Sequence, residues 1–341
     1  MNSVKLALNI CTYKRTQILE KNLSVLRGSE FFNPSNPHYY NNLDIFVVDN
    51  ASELEFEQFP HFHLFHNPNT GGSGGFQRGI EEIRKINNFT HVVFMDDDVS
   101  FDISSLYILF DFLENVDEAN ADRPVTGRML DKEKPNIQWT AGEKWNAGNI
   151  KHVEFLRDIT SSANPYIPGK VLYDADADYC GFWLCCYPYH YVQANDILPF
   201  FLHCDDVEYG LRYGKTPIAI EGFHVWHDTW EKKMSPVILY YDIRNTFFVN
   251  HMYNLYNGSR ELYDEWIDKV RLYSNNNDLL SEYIAIKAMD DFLKGINYLK
   301  RTNQERNYSI ILNKHPSKIQ NKLYFYLISR KFKQRIGAKN V

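Results

Sequence analysis

Four short apolar runs, each followed by polar or charged residues, organise the first hundred positions of the chain. They occupy residues 4–10, 43–48, 61–65 and 91–95, and segments with helical spacing of apolar residues, such as 18–26, separate them. Strands that end in polar residues and alternate with helices are typical of parallel βαβ units. The pattern therefore predicts an α/β fold with a mostly parallel sheet.

The run at 91–95 is followed directly by the triplet Asp96, Asp97 and Asp98. Ligands of open α/β sheets bind at the carboxyl ends of the strands. Because side chains alternate along a strand, we expect Asp96 and Asp98 on one side and Asp97 on the other. Two carboxylates this close suit Mg²⁺ or Mn²⁺, which prefer oxygen ligands. A solvated turn would also accommodate the triplet, but the apolar run in front of it favours a metal site.

A glycine-rich segment at residues 67–76 has four glycines in five positions and precedes a helical pattern at 77–83. Such a segment can present backbone N–H groups to an anion at the start of a helix. It is not a Walker A loop, because no Gly-Lys-Ser/Thr follows. A flexible turn without a ligand is the alternative, and the position one helix before the aspartates favours phosphate binding.

The middle of the chain is less regular. Residues 123–178 are rich in Pro, Gly, Asn and Trp, and their apolar positions have no clear period. Irregular segments of this kind are typical of the insertions with which an α/β core binds an acceptor substrate. Residues 179–188 form a dense aromatic run that is either a core strand or a platform for a sugar.

A further apolar run, at 199–204, also ends in carboxylates, because Asp205 and Asp206 follow it at a predicted helix start. These residues are either helix caps or a functional pair, in which one hydrogen-bonds substrate and the other is a base. His227 lies in an aromatic segment and is either a core histidine or a ligand.

Charge is distributed unevenly along the chain. The net charge is −6, yet the segment from Lys300 to the end has eleven Lys and Arg residues against the single Glu305. Helical patterns cover 238–256 and 281–300, and the apolar residues 323–328 lie among these basic residues. The tail is either an interfacial helix on anionic lipid or a docked helix with a solvated basic face. No recognition motif supports nucleic acid as the anionic partner.

Composition narrows the class of protein further. Hydrophobic residues make up 44% and charged residues 23% of 341 positions, as in a folded protein. No apolar run approaches the roughly 18 residues of a membrane span or resembles a signal peptide, so we expect a cytoplasmic protein. The five cysteines are an odd number without Cys-x-x-Cys spacing, which indicates buried thiols.

Together these motifs resemble the inverting glycosyltransferases of family 2, which have a GT-A fold, and in particular their bacterial galactofuranosyltransferase branch. The resemblance covers about residues 6–250. Its most specific part is Asp-Asp-Val-Glu-Tyr-Gly-Leu-Arg at 205–212 with a downstream Trp-His at 226–227. Its other parts are Cys-Thr-Tyr-Lys-Arg at 11–15, Val-Asp-Asn at 48–50, the glycine-rich segment, the aspartate triplet, Phe182-Trp183, and Tyr240-Tyr241 with Arg244-Asn245.

The resemblance implies roles for particular residues. Asp96, Asp98 and His227 would hold Mn²⁺ or Mg²⁺, Asp206 would be the general base, and Asp205 would hydrogen-bond substrate. The residues on the side of the UDP-sugar donor would be Thr12, Arg15, Asp49, Asn69, Gly72 and Asp97. Those facing the glycan acceptor would be Glu143, Phe182 and Trp183.

The resemblance also implies an activity and a domain organisation. Residues 1–250 would form a GT-A, Rossmann-like catalytic domain that binds a nucleotide sugar, and 251–341 a helical region with a basic tail. The expected reaction is transfer of galactofuranose from UDP-galactofuranose to a hydroxyl of a lipid-linked glycan in bacterial cell-surface polysaccharide synthesis. The enzyme would be peripheral on the inner face of the cytoplasmic membrane.

Two other functions remain open at this point. One is rhamnosyl transfer from dTDP-rhamnose, and the other is a non-catalytic scaffold that binds a nucleotide sugar. A sugar nucleotidyltransferase is disfavoured, because its glycine-rich loop would directly follow the first strand.

Overall fold

The computed structural model describes residues 3–229 and 235–336. The strands are β1 Leu6–Thr12, β2 Leu43–Asp49, β3 Phe62–His66, β4 His91–Asp96, β5 Val125–Asp131, β6 Ile137–Thr140, β7 Glu143–Asn146, β8 Asn149–His152, β9 Arg157–Asp158, β10 Val171–Leu172, β11 Leu184–Pro188 and β12 Ile218–His227. The helices are α1 Thr16–Arg27, α2 Gly71–Ile86, α3 Ser104–Asn115, α4 Tyr189–Ala194, α5 Asp205–Tyr213, α6 Pro236–Met252, α7 Ser259–Asn275, α8 Leu279–Lys294, α9 Ile296–Arg301, α10 Gln304–Leu312 and α11 Lys318–Arg335.

The central sheet has the order β10-β12-β5-β11-β4-β1-β2-β3. Strands β1 to β4 pair in parallel, as do β5 and β12, whereas β11 is antiparallel to both β4 and β5. The predicted α/β class with a mostly parallel central sheet and C-terminal helices is therefore confirmed.

Both faces of the sheet are covered, which explains why its strands are continuous apolar runs. In β4, Val93 and Met95 belong to one hydrophobic cluster, and Val92 and Phe94 belong to another. All four side chains are 0% exposed. The charged residues that follow are thereby held at the edge of a rigid element.

The glycine-rich segment differs from its prediction, because α2 begins at Gly71 and the glycines form its first turns. A Cβ on Gly75 would lie 2.0 Å from Cys11 Sγ, and one on Gly79 would lie 1.9 Å from Asn9 Oδ1. These two glycines therefore let α2 approach β1 more closely than any side chain would permit.

Strand β5 was not predicted, although it is a buried element of the sheet. Its sequence contains Gly127 and Arg128, which obscure the strand pattern. A Cβ on Gly127 would lie 2.5 Å from the carbonyl oxygen of Leu184, so close packing against β11 requires the glycine. Arg128 is 1% exposed and donates to Gln138, 2.7 Å away. The aromatic run at 179–188 contributes β11, all of whose residues are buried, as the core-strand alternative requires.

Contacts divide the chain into two compact units. One contains residues 3–198 and 206–229, and the other contains 199–205 and 235–336. Helix α6 thus groups with the helices that follow it. The division of catalytic and C-terminal regions at residue 250 stays a prediction.

An ionic network around the buried Asp291 carboxylate links helices of the second unit. The Asp291 carboxylate of α8 pairs with Lys287 at 2.7 Å and Lys294 at 2.6 Å, and accepts the Tyr240 hydroxyl of α6 at 2.6 Å. The neighbouring Asp290 pairs with Lys331 of α11. Among the described residues, no helix is both long enough and apolar enough to cross a bilayer.

Candidate active site

Parallel pairing brings the ends of three strands to one edge of the sheet. Thr12 at the end of β1 is opposite Asp49 of β2, and Cys11 is opposite Asp96 of β4. In open α/β sheets this carboxyl edge is where ligands bind. The polar residues predicted from separate motifs therefore share one location.

Asp96, Asp98 and His227 come together at this edge. His227 Nε2 lies 3.0 Å from Asp98 Oδ1 and 3.7 Å from Asp96 Oδ2. One ligand atom from each of the three side chains lies within 4.8 Å of the others. Two carboxylates and an imidazole in this arrangement fit a Mn²⁺ or Mg²⁺ ion.

The carboxylate of Asp97 has other partners than those of Asp96 and Asp98, which lie near His227. The Asp97 carboxylate accepts the Thr12 hydroxyl at 2.7 Å and pairs with Arg15 at 2.7 Å. Arg15 also lies 3.1 Å from Asp98. Burial raises the pKa of Asp97, while the charge and hydrogen bond of Arg15 act in the opposite direction. Arg15, about half exposed, thus bridges two adjacent carboxylates and leaves a cation facing the cleft.

Asp49 organises the loop after β2. Its carboxylate accepts backbone N–H groups of Ala51, Glu53 and Leu54 at 2.8, 2.7 and 2.8 Å, and the residue is 0% exposed. A contact between Asp49 and the donor stays a prediction.

Asn69 and Gly72 lie at the N-terminus of α2. Asn69 Oδ1 accepts the Gly71 N–H at 3.1 Å, and the Asn50 side chain donates to the Gly71 carbonyl at 2.9 Å. These bonds tie the start of α2 to the loop after β2. The N–H groups of the first helical turn have no partners within the helix and suit an anion.

Trp183 and Phe182 have different surroundings. The backbone carbonyl of Trp183 accepts the Asp96 N–H at 3.3 Å, and its indole donates to Gly127 at 3.3 Å. Trp183 is partly exposed and adjoins the candidate metal site. Phe182 is 5% exposed and stacks on Phe94 with ring centroids 4.8 Å apart. The ring of Phe182 is thus enclosed by the core, and its contact with the acceptor stays a prediction.

Glu143 begins strand β7 and is 5% exposed. One carboxylate oxygen accepts the Tyr179 hydroxyl, and the other lies 2.8 Å from His152 Nδ1 on β8. The His152 ring stacks on Phe155, which is 49% exposed. Tyr179 and His152 could not be recognised from sequence as partners of Glu143, because they are 36 and 9 positions away along the chain.

Asp205 and Asp206 open α5, as predicted. Asp206 is partly exposed and accepts the N–H of Val207 at 2.8 Å. Burial raises the pKa of the thiols of Cys180 and Cys185, and the negative charge of Asp206 adds to this effect. Further along α5, a Cβ on Gly210 would lie 2.4 Å from the Cβ of Tyr179, so α5 packs against the segment that precedes β11.

Lys132 is a site residue that the sequence analysis missed. It follows β5, and its ammonium donates to the Asp98 carbonyl at 3.3 Å and lies 3.9 Å from Asp228. Its position could have been found only after β5 was recognised.

A family model, glycosyl transferase family 2, matches residues 8–178, which is half of the chain. The chain belongs to glycosyl transferase family 2. The matched segment contains the aspartate triplet, Arg15 and the glycine-rich start of α2.

Two curated family relatives are galactofuranosyltransferases named GlfT2. The protein from Mycobacterium tuberculosis is 28% identical over 259 residues, which is 68% of this chain and 38% of the relative. The protein from Mycolicibacterium smegmatis is 29% identical over 203 residues, 54% of this chain and 31% of the relative. The chain thus spans less than two fifths of the length of these relatives.

Solved structures similar to this family member have low sequence identity. S. aureus TarS 1-349 in complex with UDP-GlcNAc is 12% identical with a TM-score of 0.49, covering 97% of this chain and 92% of TarS. The mannosyltransferase PcManGT from Pyrobaculum calidifontis, in complex with GDP-Man and Mn²⁺, is 10% identical with a TM-score of 0.44, covering 98% and 86%.

Proposed function

We propose that the protein is a metal-dependent inverting transferase that moves galactofuranose from UDP-galactofuranose to a hydroxyl of a glycan acceptor. The convergence of Asp96, Asp98 and His227 at the carboxyl edge of the sheet carries this proposal. The two relatives named galactofuranosyltransferase support the choice of sugar.

The metal would be held by Asp96, Asp98 and His227. Its donor set of hard carboxylate oxygens and one imidazole fits Mn²⁺ or Mg²⁺. When bound, such an ion neutralises charge on the diphosphate of the donor. The guanidinium of Arg15 and the N-terminus of α2 offer further positive potential for phosphate oxygens.

Transfer requires one proton acceptor. The acceptor hydroxyl oxygen forms a bond to the anomeric carbon, on the face opposite UDP, while the bond from that carbon to the UDP oxygen breaks. The bonding electron pair leaves with UDP, and the hydroxyl proton passes to the Asp206 carboxylate. A single displacement of this kind inverts the anomeric configuration. Asp205 would hydrogen-bond substrate.

The acceptor would approach from the side of Trp183. An exposed indole face beside a cleft is a common carbohydrate contact. Glu143 would accept hydrogen bonds from sugar hydroxyls, with His152 and Tyr179 fixing its carboxylate. The acceptor class that we propose is a lipid-linked glycan of bacterial cell-surface polysaccharide synthesis.

Helix α11 supplies a candidate surface for a membrane. Ile319, Leu323, Tyr326 and Leu327 are 82, 60, 63 and 51% exposed, and their spacing places them on one face. The exposed basic residues Lys322, Arg330 and Lys333 lie on that same face. We define these seven residues as the outer face of α11.

The opposite side of α11 is packed on its own unit. Ile328 and Phe332 are buried, and Lys331 pairs with Asp290. A docked helix and an interfacial helix on lipid are therefore compatible descriptions of α11, since one side is packed on the unit and the other is amphipathic and exposed. We propose that the outer face binds anionic lipid and keeps the protein peripheral on the cytoplasmic side of the membrane. Lys339, one of the tail's basic residues, lies outside the described residues.

A donor screen tests the proposed reaction. The purified chain is incubated with Mn²⁺, an oligosaccharide acceptor ending in galactofuranose, and UDP-galactofuranose, UDP-galactopyranose or dTDP-rhamnose, and product and nucleotide are quantified. We expect transfer from UDP-galactofuranose at least about tenfold faster than from the others, with inverted configuration. Preferred use of dTDP-rhamnose would make the enzyme a rhamnosyltransferase. Donor binding without turnover on any acceptor offered would favour a scaffold.

A further inference from the structure

Three residues in the four positions 201–204 have left-handed backbone conformations although none is glycine. The φ angles of Phe201, His203 and Cys204 are +72°, +65° and +64°. Such conformations are unfavourable for residues with a Cβ and persist only where surrounding contacts impose them. The segment leads directly into Asp205 and Asp206.

One side chain of α6 satisfies three carbonyl groups of this segment. The Asn245 side-chain amide donates to the carbonyls of Leu202 and His203, both at 2.8 Å, and to that of Phe200 at 3.3 Å. Only a curled backbone can direct three nearly consecutive carbonyls at one amide. Asn245 is 0% exposed, so it is a partner of the segment and not of solvent.

The neighbouring Arg244 completes this arrangement. Its guanidinium donates to the Phe200 carbonyl at 2.7 Å, and its Nε donates to Asn245 Oδ1 at 2.9 Å. The second bond fixes the orientation of the amide, so that its NH₂ group faces the segment. Arg244 is also 0% exposed and lies against the rings of Tyr240 and Tyr241.

The Arg244 and Asn245 pair is anchored from behind. Arg244 donates to Gln304 of α10 at 3.0 Å, and the Tyr240 hydroxyl donates to Asp291 of α8. The Tyr241 ring stacks on Phe201 with centroids 5.1 Å apart. The motif Tyr240-Tyr241 with Arg244-Asn245 thus acts as one buried brace on residues 200–203.

We infer that Arg244 and Asn245 are positioning residues, which hold the strained segment 201–204 and so fix the orientation of Asp206 at the start of α5. This inference rests on the proposed role of Asp206 as the base. A catalytic carboxylate must be held accurately, because a misplacement of about 1 Å can lower a rate about 100-fold. Side-chain hydrogen bonds that fix the strained segment before Asp206 would meet this requirement.

The test compares Asn245→Ala with Asn250→Ala. Asn250 is a matched control, since it is a 0% exposed asparagine on the same helix whose side-chain amide donates to the Tyr256 hydroxyl at 3.1 Å. We expect Asn245→Ala to lower kcat about 100-fold, with the donor KM and the Mn²⁺ dissociation constant within about twofold of the original chain. Asn250→Ala should change kcat by less than about threefold.

A double-mutant cycle separates positioning from general structural damage. If the brace acts through Asp206, then adding Asn245→Ala to Asp206→Asn should lower kcat by less than about twofold more. The inference would be overturned if Asn245→Ala lowered kcat by the same factor in the original chain and in Asp206→Asn. It would also be overturned if the Asn245→Ala protein folded and had a normal kcat. If Asp206→Asn alone is fully active, the proposed base is wrong, which is a separate result.

A rescue variant uses the backbone strain itself. Glycine adopts positive φ without the cost that a Cβ imposes, so Cys204→Gly in the Asn245→Ala chain should restore kcat at least about fivefold. If Asn245→Ala does not fold, Asn245→Ser, which retains one hydroxyl donor, is measured by the same criteria. If Cys204→Gly does not restore kcat, and Asn245→Ala lowers kcat by the same factor with and without Asp206→Asn, then Arg244 and Asn245 serve folding alone.

Discussion

His227 Nε2 lies 3.0 Å from Asp98 Oδ1, although 129 positions separate the two residues in the chain. Strand β4 delivers the aspartate to the carboxyl edge of the sheet, and strand β12 ends at the histidine. An imidazole beside two carboxylates can share a cation with them, whereas the carboxylates alone would repel each other.

The first prediction concerns the metal. Asp98→Ala removes one of three candidate ligands, so we expect Mn²⁺ affinity, measured by electron paramagnetic resonance titration, to fall at least about tenfold. Glu81→Ala, an exposed carboxylate on α2, serves as the control and should leave Mn²⁺ binding unchanged. Full transferase activity of the original chain in excess chelator would contradict the metal site.

The second prediction concerns the base. Asp206→Asn keeps the shape of the side chain but accepts a proton far less readily, so kcat should fall about 100-fold or more while donor affinity stays near normal. The two constants are measured by steady-state kinetics and by calorimetric titration of UDP. Should Asp205→Asn lose activity and Asp206→Asn retain it, the two aspartates have the opposite roles.

The third prediction concerns the outer face of α11. Replacing Leu323 and Leu327 by Ser removes apolar surface that would enter the bilayer, which contributes about 2 kcal/mol and so about 30-fold in partitioning. Sedimentation with vesicles containing anionic phospholipid measures this. Because α11 is also docked on its unit, this pair of substitutions is a cleaner test than removal of the tail.

Two controls accompany the vesicle experiment. Leu255→Ser with Leu272→Ser removes exposed leucines that lie outside α11, and should leave vesicle binding unchanged. Binding of the original chain should weaken as salt rises from about 0.1 to 1 M, since the Debye length shrinks from about 10 to 3 Å. Equal vesicle binding by all the chains would remove the membrane role of this face.

The fourth prediction concerns the ionic network of the second unit. Burial alone would raise the pKa of Asp291, but Lys287 and Lys294 outweigh it and hold that pKa below the ordinary value of 3.8. A carboxylate with a lowered folded-state pKa stabilises the fold above its unfolded pKa and loses this effect as pH falls through the folded pKa. Unfolding free energy should therefore decline below about pH 4.

Substitution at the same position checks this assignment. Asp291→Ala removes the carboxylate that pairs with the Lys287 ammonium, whose side chain is 11% exposed, and should cost about 3–5 kcal/mol in urea unfolding at pH 7. Asp268→Ala is the control, since that side chain is 76% exposed and its removal should cost less than about 0.5 kcal/mol. A small effect at Asp291 would mean that the network contributes little to stability.

The sequence by itself determined three of the strands that build the site. The apolar runs at β1, β2 and β4 are local patterns, and each is followed by polar residues wherever the strand reaches the sheet edge. Their alternation with helices implies parallel pairing, from which a common edge follows. Asp97 has other partners than Asp96 and Asp98, as strand alternation predicted, although β4 ends at Asp96 and the other two aspartates lie in the turn that follows it.

Only the tertiary structure decided which distant residues meet. Phe182 and Trp183 are adjacent aromatic residues, yet one is enclosed by Phe94 and the other borders Asp96. The burial of each depends on which strand lies next to β11, and hydrophobic spacing does not encode strand order. Arg128 is a similar case, since its partners make a buried charge tolerable in a strand that the sequence pattern hides.

The same limit applies to the helices. The apolar residues of α11 read as one segment in sequence, but Ile328 faces the unit while Leu327 faces outward. In sequence, Asn245 is an ordinary helical residue. Only the fold shows that its side-chain amide donates to three carbonyl groups of a strained segment. Local sequence indicated most of the helices and strands, with β5 as an exception, whereas burial and hydrogen-bond partners come from packing between elements that are far apart in the chain.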